Sequence, residues 1–398
     1  MSLGELSLAF SDSLAEIGAS VWADLEGPVE FPFLRFEWLS AFERSGTVGG
    51  KTGWLPRHVR VLSVAGDTLA VAPAYLKAHS MGEFVFDQAF AEFAEARLGV
   101  RYYPKLVLAV PFTPTSGPRL LFRRGIAATD RERIWDLLAA TLPQRAAELG
   151  IGSVHVLFPD DQQADALEAR GWASRLGVQF QYHRGDQRSF EDYLASFPSK
   201  RRTAIRRERR SLEQGGIEIR SLTGTELDES RARLAYELYL TTVDKYVWGR
   251  RYLNLPFFEA VFASMPEAVQ LVLASRPNRG SSPVASPGLP CDDGQVLGGA
   301  FNLIGQKALY GRYWGALSDV PFLHFNVCLY RGIEETLRLD LSSFQPGAGG
   351  EHKEGRGFAP TPTRSLHWFG DARLDRAVRE YLVRERSAVM ERIQGESE

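Results

Sequence analysis

A glycine-rich stretch near the C-terminus carries the residue types that acid–base chemistry needs. Five glycines lie between positions 347 and 357, and Glu351, His352, Lys353 and Arg356 lie among them. Glycine lets a backbone turn sharply or approach a ligand closely. Glu351 or His352 has the chemistry of a general base, while Lys353 and Arg356 are suited to hold a carboxylate or a phosphate. We interpret the stretch as part of a site; the alternative is a solvated loop with incidental charges.

A second group of candidates precedes this loop. Arg312, Tyr313 and Trp314 end the second strand of a predicted hairpin, and Gln345 ends the short strand that leads into the loop. A tyrosine hydroxyl can protonate a leaving group, and the guanidinium of Arg312 can bind an anion. For Tyr313 and Trp314, ordinary packing in the core is an equally good interpretation.

The first half of the chain offers fewer candidates. His79 and Glu83 are four residues apart at a predicted helix start, so their side chains are expected to share a face. We predict that they form a hydrogen-bonded pair or line a substrate groove, since no further ligands at useful spacing favour a metal site. Lys105 follows two tyrosines and begins an apolar strand, where packing and ligand contact are both open. His155 and His183 are assigned no function.

A basic run follows near the middle of the chain. Residues 199–210 contain seven basic side chains and a partial apolar face, which predicts a helix packed on one side. A solvated helix face is the default interpretation of such a run. The functional alternative is a clamp in which Lys200, Arg201 and Arg206 bind phosphates of a lipid-linked precursor, a tRNA end or a nucleotide donor.

Composition excludes several classes of protein. The 398 residues are 44% hydrophobic and 11% aromatic, and their formal net charge is −2. A near-neutral charge predicts no general affinity for nucleic acid or anionic membranes. The N-terminus lacks the pattern of a signal peptide. The sequence contains no apolar run of about 18 residues, so no membrane span is predicted. Two cysteines cannot build a disulfide framework, so a reducing cytoplasm is the predicted location.

The order of predicted elements indicates a duplication. Hairpins are predicted around Gly66-Asp67 and around Gly305-Gln306, each with a two-residue turn. The spacing from Phe158 to Arg170-Gly171-Trp172 recurs from Phe344 to Arg356-Gly357-Phe358. We therefore predict two domains, 1–185 and 186–398. Residues 276–294, rich in Pro, Ser and Gly, are predicted to be a flexible insertion at a hairpin end.

These elements resemble a known fold. Strand, hairpin, helix, strand, a helix that ends in Arg170-Gly171-Trp172 and a final strand resemble the GNAT acyltransferase unit. Two such units in tandem, with a basic helix opening the second, resemble the FemAB-like family of peptidoglycan biosynthesis or recognition. The segments that carry the resemblance are Tyr75–Asp87, Tyr102–Leu106, Pro111–Pro114, Gly117–Leu121, Leu309–Gly315 and Gly350–Lys353. The resemblance implies an α/β (α+β) chain of two tandem GNAT-like domains, each a mixed twisted sheet flanked by helices.

The resemblance also implies acyl transfer to an amine, which needs a base, donors for the oxyanion and an acid for the leaving group. In the GNAT fold the acyl donor enters where two central parallel strands separate. That opening would be bordered by Arg312–Trp314 and by the loop from 345 to 353. The implied catalytic residues are Glu351, His352 and Tyr313; the implied substrate-binding residues are Arg312, Trp314, Lys353, Arg356, Gln345, His79, Glu83, Lys105, Lys200, Arg201 and Arg206.

Two departures leave the function open. The family pattern has glutamate where this chain has Asn326 and Gln345, so a lost general base would make this member slow or inactive. Neither half has the glycine-containing pyrophosphate loop of typical acetyl-CoA-binding members. The first hypothesis is transfer of an acyl or aminoacyl group from acyl-CoA or aminoacyl-tRNA to an amine, on a small molecule, a peptide or a cell-wall precursor. The alternatives are a non-catalytic module that binds peptidoglycan-like ligands and an acetyl-CoA-dependent N-acetyltransferase.

Overall fold

The structure is a computed structural model that describes residues 4–27, 30–245, 250–277 and 294–395, apart from the side chain of Glu351. The chain divides into two compact units, Met1–Gln179 with Pro360–Glu398 and Phe180–Ala359. The division differs from the predicted one, 1–185 and 186–398, because the chain returns to the first unit at Pro360. Most of the predicted insertion at 276–294 lies outside the described residues.

The first unit contains two groups of strands. β1, β3, β4 and β7 form an antiparallel sheet in that order, and β2, β5, β6, β8 and β15 follow one another in a mixed sheet. The strands are β1 (Leu6–Ser11), β2 (Trp54–Pro56), β3 (His58–Ser63), β4 (Thr68–Ala72), β5 (Ala74–Lys77), β6 (Lys105–Leu108), β7 (Leu121–Phe122), β8 (Ser153–Leu157), most of β9 (Ala173–His183) and most of β15 (Ala359–Phe369).

Helices cover these strands. They are α1 (Leu14–Ile17), α2 (Ala19–Ala23), α3 (Phe36–Arg44), α4 (Gln88–Phe93), α5 (Ala128–Glu148), α6 (Asp161–Glu168) and α12 (Ala372–Gly395), with a 3-10 turn at Pro32–Leu34 and a π-helical turn at Ala94–Leu98. In α5 the buried residues Ile134, Leu138 and Leu142 recur every fourth position. That spacing gives one apolar stripe, which packs against the buried strands β6 and β8.

The second unit contains one mixed sheet. Its strand order is β10, β11, β12, β13, β14 and the end of β9, and β13 and β14 are parallel. The new strands are β10 (Glu218–Thr223), β11 (Val269–Arg276), β12 (Gln295–Ile304), β13 (Ala308–Ala316) and β14 (Ser343–Gln345). The helices are α7 (Phe190–Ala195), α8 (Ser199–Gln214), α9 (Glu229–Val243), α10 (Leu255–Ser264) and α11 (Arg331–Arg338), with a π-helical turn at Phe325–Tyr330 and 3-10 helices at Gly224–Glu226 and Glu351–Arg356.

The two units share one strand order. In the first, β6 is parallel to β8, which is antiparallel to β15; in the second, β13 is parallel to β14, which is antiparallel to β9. After β8 and after β14 come a helix, a left-handed glycine (Gly171 or Gly357), a buried aromatic residue (Trp172 or Phe358) and a long strand. The fold is therefore of the predicted class, a mixed α/β arrangement of sheets flanked by helices.

Three local expectations differ from the structure. The two hairpins exist, but the loops between their strands are longer than two residues, since β3 ends at Ser63 and β13 begins at Ala308. By strand order the counterpart of β13 is β6, which the first predicted hairpin does not include. No helix begins at His79, because residues 78–87 lie in neither helix nor strand. Among the described helices, none is both long and apolar enough to cross a membrane.

Candidate functional site

The parallel pairing of β13 and β14 ends within the second unit. Its last register pair is Tyr310 with Gln345, and the backbone of Gly311 still packs on Pro346. A Cβ atom at Gly311 would lie 3.1 Å from the Cα of Pro346, so the close approach favours glycine there. Beyond this point β13 continues to Ala316 beside β12 alone. The pairing of the two strands thus ends at Tyr310 and Gln345.

Arg312 lies in an irregularity of β13. Phe301 of β12 is paired with Tyr313, whereas the next residue of β12 is paired with Gly311, so Arg312 is an extra residue in the ladder. The guanidinium carbon of Arg312 lies 5.4 Å from the centroid of the Tyr313 ring. A bulge of this kind redirects side chains next to the point where a strand pair ends.

Tyr313 and Trp314 pack against different helices. The Tyr313 ring lies 5.2 Å from that of Tyr239 in α9 and stacks 6.0 Å from Phe301. The Trp314 ring lies 4.6 Å from that of His324, just before the π-helical turn. Successive residues of a strand project to opposite faces of a sheet. The structure therefore does not bring Tyr313 to the same face as Trp314 and His324.

A pocket of about 630 Å³ lies at the end of β13 on the Trp314 face. Its wall combines aromatic rings, an imidazole and groups of both charges. The lining includes Trp314, His324, Phe322, Phe325, Lys245 and Asp319. The His352 ring lies 5.5 Å from that of His324 and 5.6 Å from that of Phe325. His352 therefore lies beside this pocket, and neither His324 nor Asp319 is among the site residues predicted from the sequence.

Two imidazoles and an ammonium group determine the electrostatics here. Burial, together with the nearby charges of His352, Lys353 and Arg356, lowers the pKa of His324 to about 4. Burial and the same two cations also lower the pKa of the more exposed His352. Burial lowers the pKa of Lys353 to about 8, and its Nζ donates a hydrogen bond of 2.7 Å to the carbonyl oxygen of Gly347. Both imidazoles are consequently neutral near pH 7.

The 3-10 helix Glu351–Arg356 presents His352 and begins after a left-handed glycine. Gly350 has a φ of 92°, and a Cβ atom there would lie 2.7 Å from the His352 ring. Glycine avoids both the strain and the collision. The side chain of Glu351, predicted to be catalytic, lies outside the described part of the structure.

The Arg356 side chain is bonded to other side chains of the protein and is buried. Its Nη2 donates to both carboxylate oxygens of Glu208, at 2.9 and 3.0 Å, and its Nε donates to the Tyr330 hydroxyl at 2.9 Å. The guanidinium also lies 3.4 Å from the centroid of the Phe325 ring. Arg356 and Glu208 are both buried. The structure thus gives Arg356 the task of fixing the 3-10 helix to α8 instead of contacting a ligand directly.

The two positions that depart from the family pattern have different surroundings. Asn326 is buried, and its Nδ2 donates hydrogen bonds of 3.0 Å to the carbonyl oxygens of Glu208 and Phe322. A carboxylate could not donate those bonds. In contrast, Gln345 has a buried Oε1 atom without a hydrogen-bond partner among the described residues. The amide of Gln345, at the end of β14, remains a candidate to contact a ligand.

The basic run forms α8, as predicted, with Ile205 and Leu212 on its buried face. Lys200 is exposed, and exposed Arg206 forms an ion pair of 2.8 Å with Glu191. A Cβ atom at Gly355 would lie 3.4 Å from Nη2 of Arg201, which places Arg201 beside the 3-10 helix. Of the three predicted phosphate-binding residues, Arg201 is the one that the structure brings next to the helix of His352.

In the first unit, the corresponding end of β8 is bonded to other parts of the protein. Gly117 forms a parallel bridge with Pro159, just beyond β8. The buried Arg119 side chain donates hydrogen bonds to the carbonyl oxygens of Leu157, at 2.7 Å, and Thr115, at 2.6 Å. The end of β8 is thus bonded to the protein's own backbone and to this guanidinium. The opening of the second unit is therefore the better candidate.

Two of the candidates predicted in the first unit, Glu83 and Lys105, are bonded to each other. Lys105 Nζ donates a hydrogen bond of 2.8 Å to Glu83 and also contacts Asp87. His79 is next to Thr52, with its Nε2 atom 3.1 Å from the carbonyl oxygen of that residue. Glu83 and Lys105 are buried, so they form an internal ion pair and do not line an open groove. The described residues contain no group of three or more His, Cys, Asp or Glu side chains placed to hold a metal.

Solved structures with a similar fold include two that match most of the chain. The structure of FemX matches with a TM-score of 0.51 at 12% identity, over 94% of this chain and 100% of the FemX chain. A conserved protein of unknown function from Bacteroides thetaiotaomicron VPI-5482 matches with a TM-score of 0.50 at 11% identity, over 91% of this chain and 99% of the other. Likenesses at this identity show the fold alone.

Comparison with curated proteins finds no match. A family model does match, and it spans residues 13–398, nearly the whole chain. The family is described as one of peptidoglycan biosynthesis or recognition. The shared strand order of the two units and the FemX-like fold agree with this match. The protein belongs to the FemAB-like family.

Proposed function

We propose that this protein is an acyltransferase that moves an acyl or aminoacyl group from an activated donor to an amine at the end of β13. The observation that carries the proposal is the pocket of about 630 Å³ beside which two neutral imidazoles, His324 and His352, lie 5.5 Å apart. A neutral imidazole can accept the proton that an attacking amine releases. His352 is the better base, since its side chain is exposed whereas that of His324 is half-buried.

In the proposed reaction one bond forms, one bond breaks, and protein side chains carry the proton. The amine nitrogen attacks the carbonyl carbon of the donor, so a C–N bond forms and the bond from that carbon to the leaving sulfur or oxygen breaks. His352 accepts the proton from the amine, with Glu351 as a second candidate base. The leaving group takes up the proton that His352 has accepted, because Tyr313, the candidate acid from the sequence, lies on the opposite face of the sheet from the pocket.

Donor and acceptor belong to the proposal as well. The segment 317–324 follows β13 and contains no glycine, which disfavours a backbone cradle for the pyrophosphate of acetyl-CoA. Because every CoA thioester carries this pyrophosphate, aminoacyl-tRNA is proposed ahead of acetyl-CoA and other acyl-CoA donors. The family description supports an amine acceptor on a peptide or cell-wall precursor. Lys200, Arg201 and Arg206 are proposed to contact phosphates of the donor.

A transfer assay tests the proposal. The protein is incubated with acetyl-CoA, a longer acyl-CoA or aminoacyl-tRNA and with muropeptides as amine acceptors, and products are detected by mass spectrometry. Replacement His352→Gln should lower the rate about 100-fold or more, which is typical of losing a general base. The matched control is His183→Gln, an exposed histidine of the same unit outside the pocket. Equal rates for both variants would contradict the role of His352.

A binding module is the second candidate function. Asn326 favours it, because its amide is committed to the carbonyl oxygens of Glu208 and Phe322 and offers no base. A binding module would show no product with any donor, while muropeptides would still raise the melting temperature. If a product also forms with muropeptides as acceptors, that result would favour the enzyme.

A further inference from the structure

The C-terminal helix α12 packs on the first unit through its first half alone. Its buried side chains are Leu374, Val378 and Leu382. Residues 383–395, about 20 Å of helix at 1.5 Å per residue, contain no buried side chain. A helix of this length is marginally stable in water by itself, and helices in proteins are stabilised mostly by packing of one face. The second half of α12 therefore lacks the packing that such a helix needs.

A groove of about 370 Å³ lies between α12 and α4. Its lining includes the aromatic rings and charged groups of Phe90, Phe93, Ala377, Glu380, Tyr381 and Arg384. Phe93 is 38% and Tyr381 is 44% exposed, and Phe86, just before α4 in the chain, is 73% exposed. Exposed aromatic side chains that share one groove, with charged groups at its edge, are typical of an interaction surface.

The charged residues of α12 differ in whether they have a partner. The half-buried Glu385 accepts hydrogen bonds of 2.8 and 2.6 Å from Arg175 of β9. In contrast, Glu380 and Arg384 at the groove are exposed, and neither forms an ion pair with a residue that the structure describes. The groove therefore presents one anion and one cation that are both available to a partner.

One row of residues on this side of α12 is complementary to itself. The row is Ala377, Tyr381, Arg384 and Ala388, with spacings of four, three and four residues, as in the contact seam of paired helices. When two copies of the row run antiparallel, Ala377 lies opposite Ala388, and Tyr381 lies opposite Arg384. A two-fold interface uses the same patch on both subunits, so the patch must match itself in this way.

We propose that the groove between α4 and α12 binds α12 of a second copy of this chain in an antiparallel, two-fold dimer. Arg384 of the second copy lies over the Tyr381 ring and reaches the Glu380 carboxylate, and the two-fold axis repeats both contacts. The small side chains of Ala377 and Ala388 let the two helices approach each other. A parallel pair would place Arg384 against Arg384 and Glu380 against Glu380, so repulsion between like charges disfavours it.

Analytical ultracentrifugation of the whole chain over a range of concentrations tests the proposal. The wild type should form a dimer, and Arg384→Glu should raise its dissociation constant at least about tenfold, because like charges then meet twice in each dimer. The matched control is Arg124→Glu, the same change of charge at another exposed arginine of this unit, which should keep the wild-type constant. A wild type that is monomeric at every concentration would overturn the proposal, as would equal effects of the two substitutions.

A mixture of two variants tests the antiparallel arrangement itself. Glu380→Arg has two cations at the groove and Arg384→Glu has two anions, so each variant alone should dimerise weakly, whereas the two together should form a heterodimer. Both residues are exposed, so each variant should keep the wild-type melting temperature of its monomer. A mixture that dimerises no better than the separate variants would overturn the proposal, because Glu380 and Arg384 would then not face each other across the interface.

Discussion

Arg356 and Glu208 form a buried ion pair in the second unit, although 148 residues separate them in the chain. The Tyr330 hydroxyl joins both partners, and the guanidinium lies over the Phe325 ring. The pair connects α8 to the 3-10 helix that presents His352. The position of His352 beside the pocket therefore depends on a helix that begins at Ser199.

We expect Arg356→Leu to destabilise the second unit by about 3–5 kcal/mol, since it leaves the Glu208 carboxylate buried without its partner. Unfolding in urea, followed by tryptophan fluorescence, measures the change. Arg145→Leu is the matched control, because the Arg145–Glu148 pair is exposed and such pairs contribute at most about 1 kcal/mol. Equal effects of the two substitutions would show that the buried pair is not what stabilises this region.

The pH dependence of transfer should report the titration of His352. The base works in its neutral form, and its pKa is lowered, so kcat/KM should rise with pH through a value below 6.5 and then level off. Lys353→Met removes a nearby cation that contributes to this lowering, so the acidic limb should move to higher pH. Steady-state rates between about pH 5 and 8 measure both curves. An unmoved limb in Lys353→Met would contradict this electrostatic account.

Two histidines of the first unit should make its stability depend on pH. The Nδ1 atoms of His155 and His367 are 2.7 Å apart on paired strands, and both side chains are buried. Burial lowers the pKa of His155 well below its ordinary value and that of His367 to about 3. The unfolded chain therefore binds more protons than the folded one below about pH 6.5. Each histidine should reduce the free energy of unfolding by about 1.4 kcal/mol per pH unit as pH falls from about 6.5 toward its folded pKa.

His367→Asn tests this linkage. The variant loses one of the two buried imidazoles, so the slope of unfolding free energy against pH between about 4 and 6 should fall by about one proton, or about 1.4 kcal/mol per unit. Urea titrations at several pH values measure the slope. His183→Asn, an exposed histidine, should keep the wild-type slope. A wild-type slope in His367→Asn would mean that this imidazole does not stay neutral in the folded state.

Helix α8 should contribute salt-dependent binding to a phosphate-bearing ligand. Lys200 and Arg206, two of the three residues proposed to contact phosphates, are exposed, and Arg201 is half-buried. For binding of tRNA, replacing one of them by Ala should reduce the slope of log Kd against log salt by about 0.7–0.9 for each phosphate that the helix no longer neutralises. Arg124→Ala is the control, an exposed arginine of the other unit. Unchanged slopes would leave α8 as a solvated helix face.

Individual helices and strands can be predicted from the sequence because they depend on residues that are close together in the chain. The Ser189–Asp192 capping box begins α7, and the basic run forms α8. The repeated helix, glycine and aromatic residue after Phe158 and Phe344 predicts two units of one fold. Side-chain patterns over a few turns determine such elements, so the fold class follows from them. The family was indicated by the resemblance of whole segments and is shown by the family match.

Only the tertiary structure decided which distant groups meet. β15 pairs with β8 and β9 with β14, so each strand completes a sheet whose other strands come from the opposite half of the sequence. Partner choice between strands depends on packing far along the chain, which local patterns do not encode. Arg356 and Lys105 likewise have ion-pair partners that are distant in the chain. The partner of Arg356 is Glu208 in another helix, and those of Lys105 are Glu83 and Asp87. Their residue types suggested ligand contact, whereas burial beside acids of opposite charge made them internal ion pairs.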